Sequence, residues 1–566
     1  MRSMENASSS QSTSTHQPDS GANEVPFAKS YIQLTKLDYI QLKSENHFWK
    51  SQHERAIARE AELKLQLEHA EAKIRDLTQR LYGKHTEKSA SSSEVQESEL
   101  KQKRPRGQMP GSKGHGRTQR PHLPVTEELR DLPPDEQTCP HCSEAFDLFP
   151  GTEDSEIIEI SVKPYIRKIK RLRYKSRCKC KGVPSLVTAS TAPRLIPKSS
   201  LGVSIWVEVL LGKFLRCAPT NRLCAELKSL GAPIAMGTLT GGLKKLAPLF
   251  KPLITALLDK HLDEKRFGGD ETTWKVFEEI EGKVGYRWYL WMTHSASIVY
   301  YWMAPGRGAN VIKKHMAGLN METLIIFVCD RYKAYQCWAK DSPMILLAFC
   351  WAHVRRDFLD SARAWPDLSE WMHTWVGDIG SLYHLNAQRL EVWDDSLPLA
   401  SQSLTFQTRN LALSDSLTAM ATKRDLVLAE PELHQIKKKV LSSLHNHWSG
   451  LTVFLDHPET PMDNNTSETK LRNAVTGRKN YYGSGAVWSA EFAAMLFSLF
   501  QTIILWGHNP RHWLHSYLSA CAENGGVPPT NLAPFLPWAM EEARRHKLAE
   551  PLILDFPEQP APRDTS

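Results

Sequence analysis

Seven segments between residues 267 and 353, alternating in hydrophobic pattern, constrain the fold more than any other part of the chain. FGGDETTWKVF, YRWYLWMTH and SIVYYWM are rich in aromatic, β-branched and threonine residues and are separated by GKVG and by a Ser/Ala turn. That composition predicts three strands of a meander. A helical run, ANVIKKHMAG, comes next, then the apolar LIIFVCD, the helix start RYKAYQCWA, and a second apolar run, MILLAFCWAH, leading into RRDF. Continuous apolar runs of this length predict buried strands.

Three strands, helix, strand, helix, strand is the order of a ribonuclease H-like α/β core, so the chain is expected to be multidomain α/β with such a core. Asp270 lies on the first strand, and Asp330 ends the fourth after the five apolar residues LIIFV and Cys329. A charge in that position is costly unless it stands at a sheet edge and faces a ligand or partner. The two strands are neighbours in this fold, and two such aspartates predict a divalent-metal site. Mg²⁺ takes hard oxygen ligands and retains waters, so one or two carboxylates plus substrate phosphates complete its shell. A third carboxylate from a later helix would give a pair of sites about 3.5–4 Å apart, suited to in-line displacement at phosphorus.

The candidate third ligand is Glu468, in MDNNTSETKLRNAVTGRKN (462–480), where one glutamate stands among amides, hydroxyls and cations. The residues leave two readings open. Asn465 followed three residues later by Glu468 is the signature of a helix capping box, whereas Asn465, Glu468 and Arg472 also share one helix face that would meet a substrate. Nearby acids compete less well. Glu271 is expected on the opposite face of the strand from Asp270, and Asp463 lies off the helical face of Glu468.

At 566 residues the chain exceeds a single core and is expected to divide. Residues 1–30 are rich in Ser, Thr, Gln and Asn and predict a disordered tail. Over 31–88 an apolar seam through Trp49, Ala56, Leu63, Leu67, Ala70, Ile74, Leu77 and Leu81 predicts a coiled coil, interrupted by Asn46, His53 and Glu60; the alternative is an amphipathic helix packed on its own protein. In the linker 89–125, KQKRPRGQMPGSKGHGRTQR carries seven Lys or Arg and no acid. Lys103, Arg104, Arg106 and Lys113 belong to this run, which either neutralises phosphates or is a solvated linker.

Within 126–195, Cys139 and Cys142 of CPHC and Cys178 and Cys180 of CKC flank a β-patterned basic segment, which predicts a zinc-binding ribbon. The C-x-C pair is tighter than usual, and His141 is a substitute ligand. Residues 196–262 read as short helices, either helix-turn-helix-like and DNA-binding or an ordinary bundle. The catalytic domain is expected over 263–500, with a helical insertion at about 362–450 inside the 137 residues that separate Asp330 from Glu468. A C-terminal helical region, 501–566, closes the chain.

The formal charge of +8 is modest but unevenly spread, and local basic segments predict nucleic-acid contact better than the total. Of ten cysteines, four form two close pairs and six are scattered, which fits a reducing compartment better than a disulfide framework. The first residues lack a signal-peptide core, and the longest clean apolar run, Met344 to Ala352, is short for a membrane span. A soluble, cytoplasmic protein is expected.

Over nearly its whole length the chain resembles the IS66 family of bacterial insertion-sequence transposases. The pieces occur in order: RLYGKHTEKS, GSKGHGR, CPHC, PKSSLGVSIWVEVLLGKF, DETTWKV, CDRYKAY, CWAHVRRDF, NNTSETKLRNAVTGRKNYYGSG and LFQTIILWGHNPRHWL. The resemblance implies a DDE transposase with Asp270, Asp330 and Glu468 matching the acidic triad. It implies two Mg²⁺ (or Mn²⁺) ions there and a structural Zn²⁺ at the cysteine pairs. The partners implied are DNA, as terminal inverted repeats and target, a second copy of the chain in a homo-oligomer, and small companion proteins of the same element, with no membrane and a nucleoid-associated location. Asn465, Arg472, Arg478 and Lys479 would position backbone phosphates.

Some residues depart from the family pattern. Arg331 follows the second aspartate where glycine is usual and would crowd the metals or contact phosphate, and Thr273 stands where proline is common. Cys350 and His353 in CWAH have a spacing that suits zinc, but a structural role is expected, with His353 touching the helix of Glu468. The alternative to an active enzyme is a catalytically degenerate transposase that only binds DNA. Metal analysis of a 126–195 fragment is expected to find stoichiometric zinc; a zinc-free fragment would contradict the ribbon.

Overall fold

A computed structural model of the chain describes residues 33–82, 164–175 and 186–552, with isolated positions between 125 and 162. The expected zinc ligands Cys139, Cys142, Cys178 and Cys180 and the expected phosphate contacts Lys103, Arg104, Arg106 and Lys113 lie outside the described residues. Residues 1–86 and 87–566 form two separate units.

The first unit is one helix, α1, Lys36–Tyr82. Its start is set by a reciprocal cap: the Asp38 N–H donates to Thr35 Oγ1 at 3.2 Å and the Thr35 N–H donates to Asp38 Oδ2 at 3.3 Å. Leu42, Trp49, Leu63, Leu67, Ile74 and Leu77 are all exposed on it.

The second unit opens with a small antiparallel ribbon, β1 (Arg173–Lys175) and β2 (Leu186–Thr188), with Tyr174 opposite Val187. Helix α2 (Val203–Leu210) runs without a break into a π-helical turn, Leu211–Leu215, and is followed by α3 (Thr220–Ser229) and α4 (Met236–Leu262). The sheet strands are β3 (Arg266–Lys275), β4 (Arg287–His294), β5 (Val299–Ala304), β6 (Ile325–Cys329) and β7 (Ile345–Phe349). Helix α5 (Ala309–His315) lies between β5 and β6, and α6 (Lys333–Lys340) between β6 and β7.

After β7 come α7 (Trp351–Ala364), α8 (Ser369–Leu390), α9 (Leu404–Leu428), α10 (Gln435–Asn446), α11 (Trp448–Leu451) and α12 (Val453–Asp456). The last four helices are α13 (Asn465–Tyr481), α14 (Val487–Leu505), α15 (Pro510–Glu523) and α16 (Glu542–Ala549).

The strands lie in the order β5-β4-β3-β6-β7. β4 is antiparallel to both β3 and β5, whereas β6 is parallel to β3 and β7. Each face of this mixed sheet carries its own apolar layer. Leu290, Met292 and Trp274 join α4, α14 and α15 on one side, while Phe267, Trp291 and Phe327 join α5 to α10 on the other. Successive strand residues point to opposite faces, so Leu290, Trp291 and Met292 serve the two layers in turn.

Helix α14 is long and apolar enough by composition to span a bilayer, but it forms the centre of the first layer. Its hydroxyls also cap the outer edge strand: Ser498 Oγ accepts the Tyr301 N–H at 2.8 Å, and Thr502 Oγ1 accepts that of Val299 at 3.1 Å. An edge covered in this way offers little to a foreign strand.

The regions at 196–262 and 501–566, read separately from the sequence, share this one core. Trp206 of α2 lies against α4 at Gly242, where a Cβ would fall 1.9 Å from the indole. One position away, a Cβ at Gly241 meets nothing within 4 Å. Gly242→Ala is therefore expected to destabilise the fold by about 1–3 kcal/mol. Gly241→Ala is expected to stabilise it by up to about 1 kcal/mol. Thermal unfolding of the two variants checks the pair, and equal midpoints would contradict the packing.

Candidate active site at the open edge of β3

β6 stops at Cys329, whereas its neighbour β3 continues to Lys275. The parallel register pairs Gly268 with Val328, and carrying that offset forward two residues sets Asp270 beside Asp330. Asp330 Oδ1 accepts the Tyr332 N–H at 2.9 Å, which turns the chain into α6.

Beyond Gly268 the β6-facing backbone of β3 has no strand to pair with, and the chain in and around α13 takes its place. Asn464 Nδ2 donates to the Gly269 carbonyl at 2.9 Å, Arg478 Nη1 donates to the Thr273 carbonyl, and the Ser484 N–H donates to that of Lys275 at 2.8 Å. These carbonyls alternate along the strand, as the groups on one edge must.

The start of α13 is pinned hardest. Asn464 is buried, its N–H donates to Cys350 Sγ at 3.2 Å, and its Oδ1 accepts from Ser467 Oγ at 2.5 Å. Ser467 Oγ lies 3.0 Å from His294 Nε2. Because the serine hydroxyl donates to Asn464, its oxygen accepts from a protonated Nε2 of a neutral imidazole. Burial, followed by the charge of Lys470, lowers the pKa of His294 to about 4. Gly268 and Gly269 make this close approach possible: a Cβ at Gly268 would stand 2.2 Å from His294, and one at Gly269 2.4 Å from Phe327.

The opposite side of α13 rests on the π-helical turn. Asn473 Nδ2 donates to the Phe214 carbonyl at 3.0 Å and Asn480 Nδ2 to that of Cys217 at 3.0 Å. Glu468 therefore sits on a helix held from two sides. Its N–H donates to the carbonyl of Asn464, the N-cap, whose own side chain makes no capping bond, while Asp463 Oδ1 accepts the Asn465 N–H at 3.1 Å. The capping-box reading of Glu468 is thus not realised, because the helix begins one residue earlier than that reading requires.

Electrostatics show where the acids meet. Asp270 is raised to about 8, first by burial, then by Glu271, Asp330 and Glu468, against one stabilising N–H bond from Glu271. Three carboxylates act on the fourth, so the cluster is unfavourable without a cation. Glu271, on the other strand face, is buried and bound by Arg307 Nε at 2.7 Å and Tyr335 Oη at 2.5 Å. His353 Nε2 lies 3.5 Å from Glu468 Oε1, and its buried Nδ1 has no partner among the described residues. Cys350 lies buried beneath, its thiol raised first by burial.

Among the described residues no three His, Cys, Asp or Glu side chains close round one point as they stand. Mg²⁺ does not require that, because one or two carboxylates with waters and substrate oxygens suffice. The all-oxygen donor set and the mutual repulsion at Asp270 fit such an ion.

The remaining predicted residues divide. Asn465, Arg472 and Lys479 are exposed on α13. Arg478 is instead engaged by β3, donating also to Thr272 Oγ1 at 2.9 Å and Thr273 Oγ1 at 2.7 Å. Arg331 neither crowds the acids nor is free for phosphate: it pairs with Asp357 at 2.5 Å and donates to Ser443 at 2.8 Å. Sequence reasoning passed over Asn464, Ser467, His294 and Arg307. The Asn464-Asn465 doublet and the Gly268-Gly269 pair were the signals available for the first three.

A mixed sheet layered by helices, with acids gathered where one strand outruns its neighbour, is compatible with a transposase core. Comparison with known proteins makes this specific. The Transposase IS66 family matches residues 198–492, just over half of the chain. The uncharacterized protein y4jD of Sinorhizobium fredii (strain NBRC 101917 / NGR234) is 25% identical over 437 residues, 74% of this chain and 80% of its own length. The uncharacterized protein y4hP of the same organism is 24% identical over 440 residues, 73% of this chain and 74% of its own. The chain belongs to the IS66 family of transposases.

A carboxyl raised by folding favours the folded state below its unfolded pKa, and that contribution is lost as pH rises through the folded value. For Asp270 the window runs from the ordinary carboxyl value of 3.8 to about 8. Without divalent metal, Asp270→Asn is expected to raise the unfolding temperature at pH 9 and to leave it nearly unchanged at pH 3. An equal shift at both would contradict the clustering.

Proposed function

We propose that the chain is an active DDE transposase of an insertion sequence: it cuts DNA at the element's ends and joins the freed 3′-hydroxyls to target DNA. The observation that carries this reading is the strand register that sets Asp270 beside Asp330, with α13, which bears Glu468, tied to the same strand at Gly269. The strand order, three antiparallel strands followed by two parallel ones, supports a ribonuclease H-like core.

Asp270, Asp330 and Glu468 would hold two Mg²⁺ or Mn²⁺ ions, which supply Lewis-acid stabilisation of the phosphodiester and a lowered pKa for the attacking water or hydroxyl. The residues of the chain itself do the positioning. Asp270 and Asp330 are fixed by strand register, and Glu468 by a helix tied to β3 through Asn464 and Arg478. His353 stands against Glu468 and limits its freedom. Asn465, Arg472 and Lys479, exposed on the same helix, would take backbone phosphates and set the DNA in register. Arg478 acts as a tie between α13 and β3.

The other proposals follow from sequence. Cys139, Cys142, Cys178 and Cys180 would hold a structural zinc, and Lys103, Arg104, Arg106 and Lys113 would neutralise DNA phosphates. The exposed apolar residues of α1 support self-association as a coiled coil. The enzyme would work in the cytoplasm at the nucleoid, with small companion proteins of the element.

Glu468→Gln removes one charge and no volume. It is expected to leave the metal-free unfolding temperature no lower than that of the unsubstituted protein and the metal-free DNA affinity unchanged, while strand cleavage in Mg²⁺ falls below detection. Cleavage at an undiminished rate in gel assays of end-labelled DNA would remove Glu468 from the site.

A further inference from the structure

The acids have a cationic neighbour that the metal-holding role leaves unused. The loop between β5 and α5 reads Gly306-Arg307-Gly308. Arg307 presents the Nε–Nη2 edge of its guanidinium to Glu271: Nε donates to Oε1 at 2.7 Å, and Nη2 pairs with the same oxygen. The guanidinium carbon lies 3.8 Å from the centroid of the Tyr332 ring, and Tyr332 Oη donates to the Arg307 carbonyl at 2.8 Å. Tyr335 Oη holds the second Glu271 oxygen at 2.5 Å. One edge and one face of the guanidinium are thus fixed.

The pair is unequally wet. The Glu271 side chain is 1% exposed and that of Arg307 is 40% exposed. Nη1 has no partner among the described residues, and a Cβ at either flanking glycine would meet nothing within 4 Å. Asp330 lies close enough to act on the Arg307 charge, and Tyr332, the ring beneath it, is two residues further along the same turn. A buried ion pair is weak as a stabilising device because both charges must be desolvated. This one also sets a further carboxylate next to Asp270, which raises the cost of the acid cluster. What the arrangement gains is an oriented cation, half in solvent, beside the metal-holding acids.

We propose that Arg307 contacts the substrate, donating from Nη1 to a non-bridging oxygen of the DNA phosphate under attack, with Glu271 and Tyr332 as positioning residues. This rests on the reading of Asp270, Asp330 and Glu468 as metal-holding acids. In phosphoryl transfer charge spreads over the equatorial oxygens, and a preorganised donor aimed there lowers the barrier without reorganising during the reaction. Guanidinium suits the task because its planar fork stays charged and can hold a carboxylate on one edge and a phosphate on another.

The test uses the full chain and a duplex carrying the terminal repeat that flanks its own gene, with Mn²⁺ for cleavage and no divalent metal for binding. Arg307→Ala is expected to bind the duplex within about threefold of the unsubstituted protein and to cleave it about 100-fold more slowly. Arg307→Lys can still pair with Glu271 and so protects the test against misfolding; it is expected to recover no more than about a tenth of the rate. A phosphorothioate at the cleaved position adds a readout that a purely structural role would not move. One diastereomer should slow the unsubstituted protein, and the variants should lose that discrimination. Arg307→Lys cleaving at full rate with an unchanged diastereomer preference overturns the assignment. If Asp330→Ala is inactive in the same assay, only the Arg307 assignment falls. If the unsubstituted protein fails to cleave, or Asp330→Ala cleaves equally well, the reading of the acids falls and takes this inference with it.

Discussion

The exposed backbone edge of β3 is the constraint on which the rest of the site depends. A strand that outruns its neighbour leaves carbonyls without ladder partners, and one that is buried costs about 1–3 kcal/mol if left unpaired. Here the partners are an asparagine, an arginine and a backbone N–H supplied by α13 and the turn after it. Pairing the edge with a helix instead of a sixth strand brings a carboxylate from a segment remote in sequence to the place where the two strand aspartates emerge. Fold closure and site assembly are therefore the same set of hydrogen bonds.

That arrangement also explains the helices around it. The π-helical turn after α2 and the residues that follow it carry the carbonyls of Phe214 and Cys217 to Asn473 and Asn480, so the N-terminal helices brace α13 from the side away from the sheet. Local departures from the α-helix are often found at functional sites, and this one re-aims backbone groups toward a partner helix. The acids sit in a frame stiff enough to keep them together despite their repulsion. A site of this kind stores unfavourable electrostatics in the free protein and releases them when a cation binds.

Much of the core was legible because its signals are local. LIIFVCD and MILLAFCWAH read as strands through continuous apolar composition, and Asp330 stood out as a charge at the end of one of them. The resemblance named the family, and the family match covers the same strands and α13. What could not be read depends on contacts remote in sequence. Asn464, not Asn465, is the N-cap of α13, and its side chain reaches Gly269, nearly two hundred positions earlier in the chain. Arg331 and Arg478 looked like phosphate ligands until Asp357 and Thr273 claimed them. The helices of 203–262 read as a free-standing unit because an amphipathic pattern does not say which core it faces. Arg307, between two glycines, gave no sign of its role until Glu271 and Tyr332 were seen against it.

The central claim is that Asp270, Asp330 and Glu468 form one divalent-metal centre, held open by α13 lying along β3. Anomalous diffraction from crystals of the full chain soaked in Mn²⁺ tests it most directly. The account predicts manganese within about 2.5 Å of carboxylate oxygens of Asp270 and of Asp330 or Glu468. Manganese held by Glu271 in place of Asp270, or none at these residues under conditions that support DNA cleavage, would contradict it.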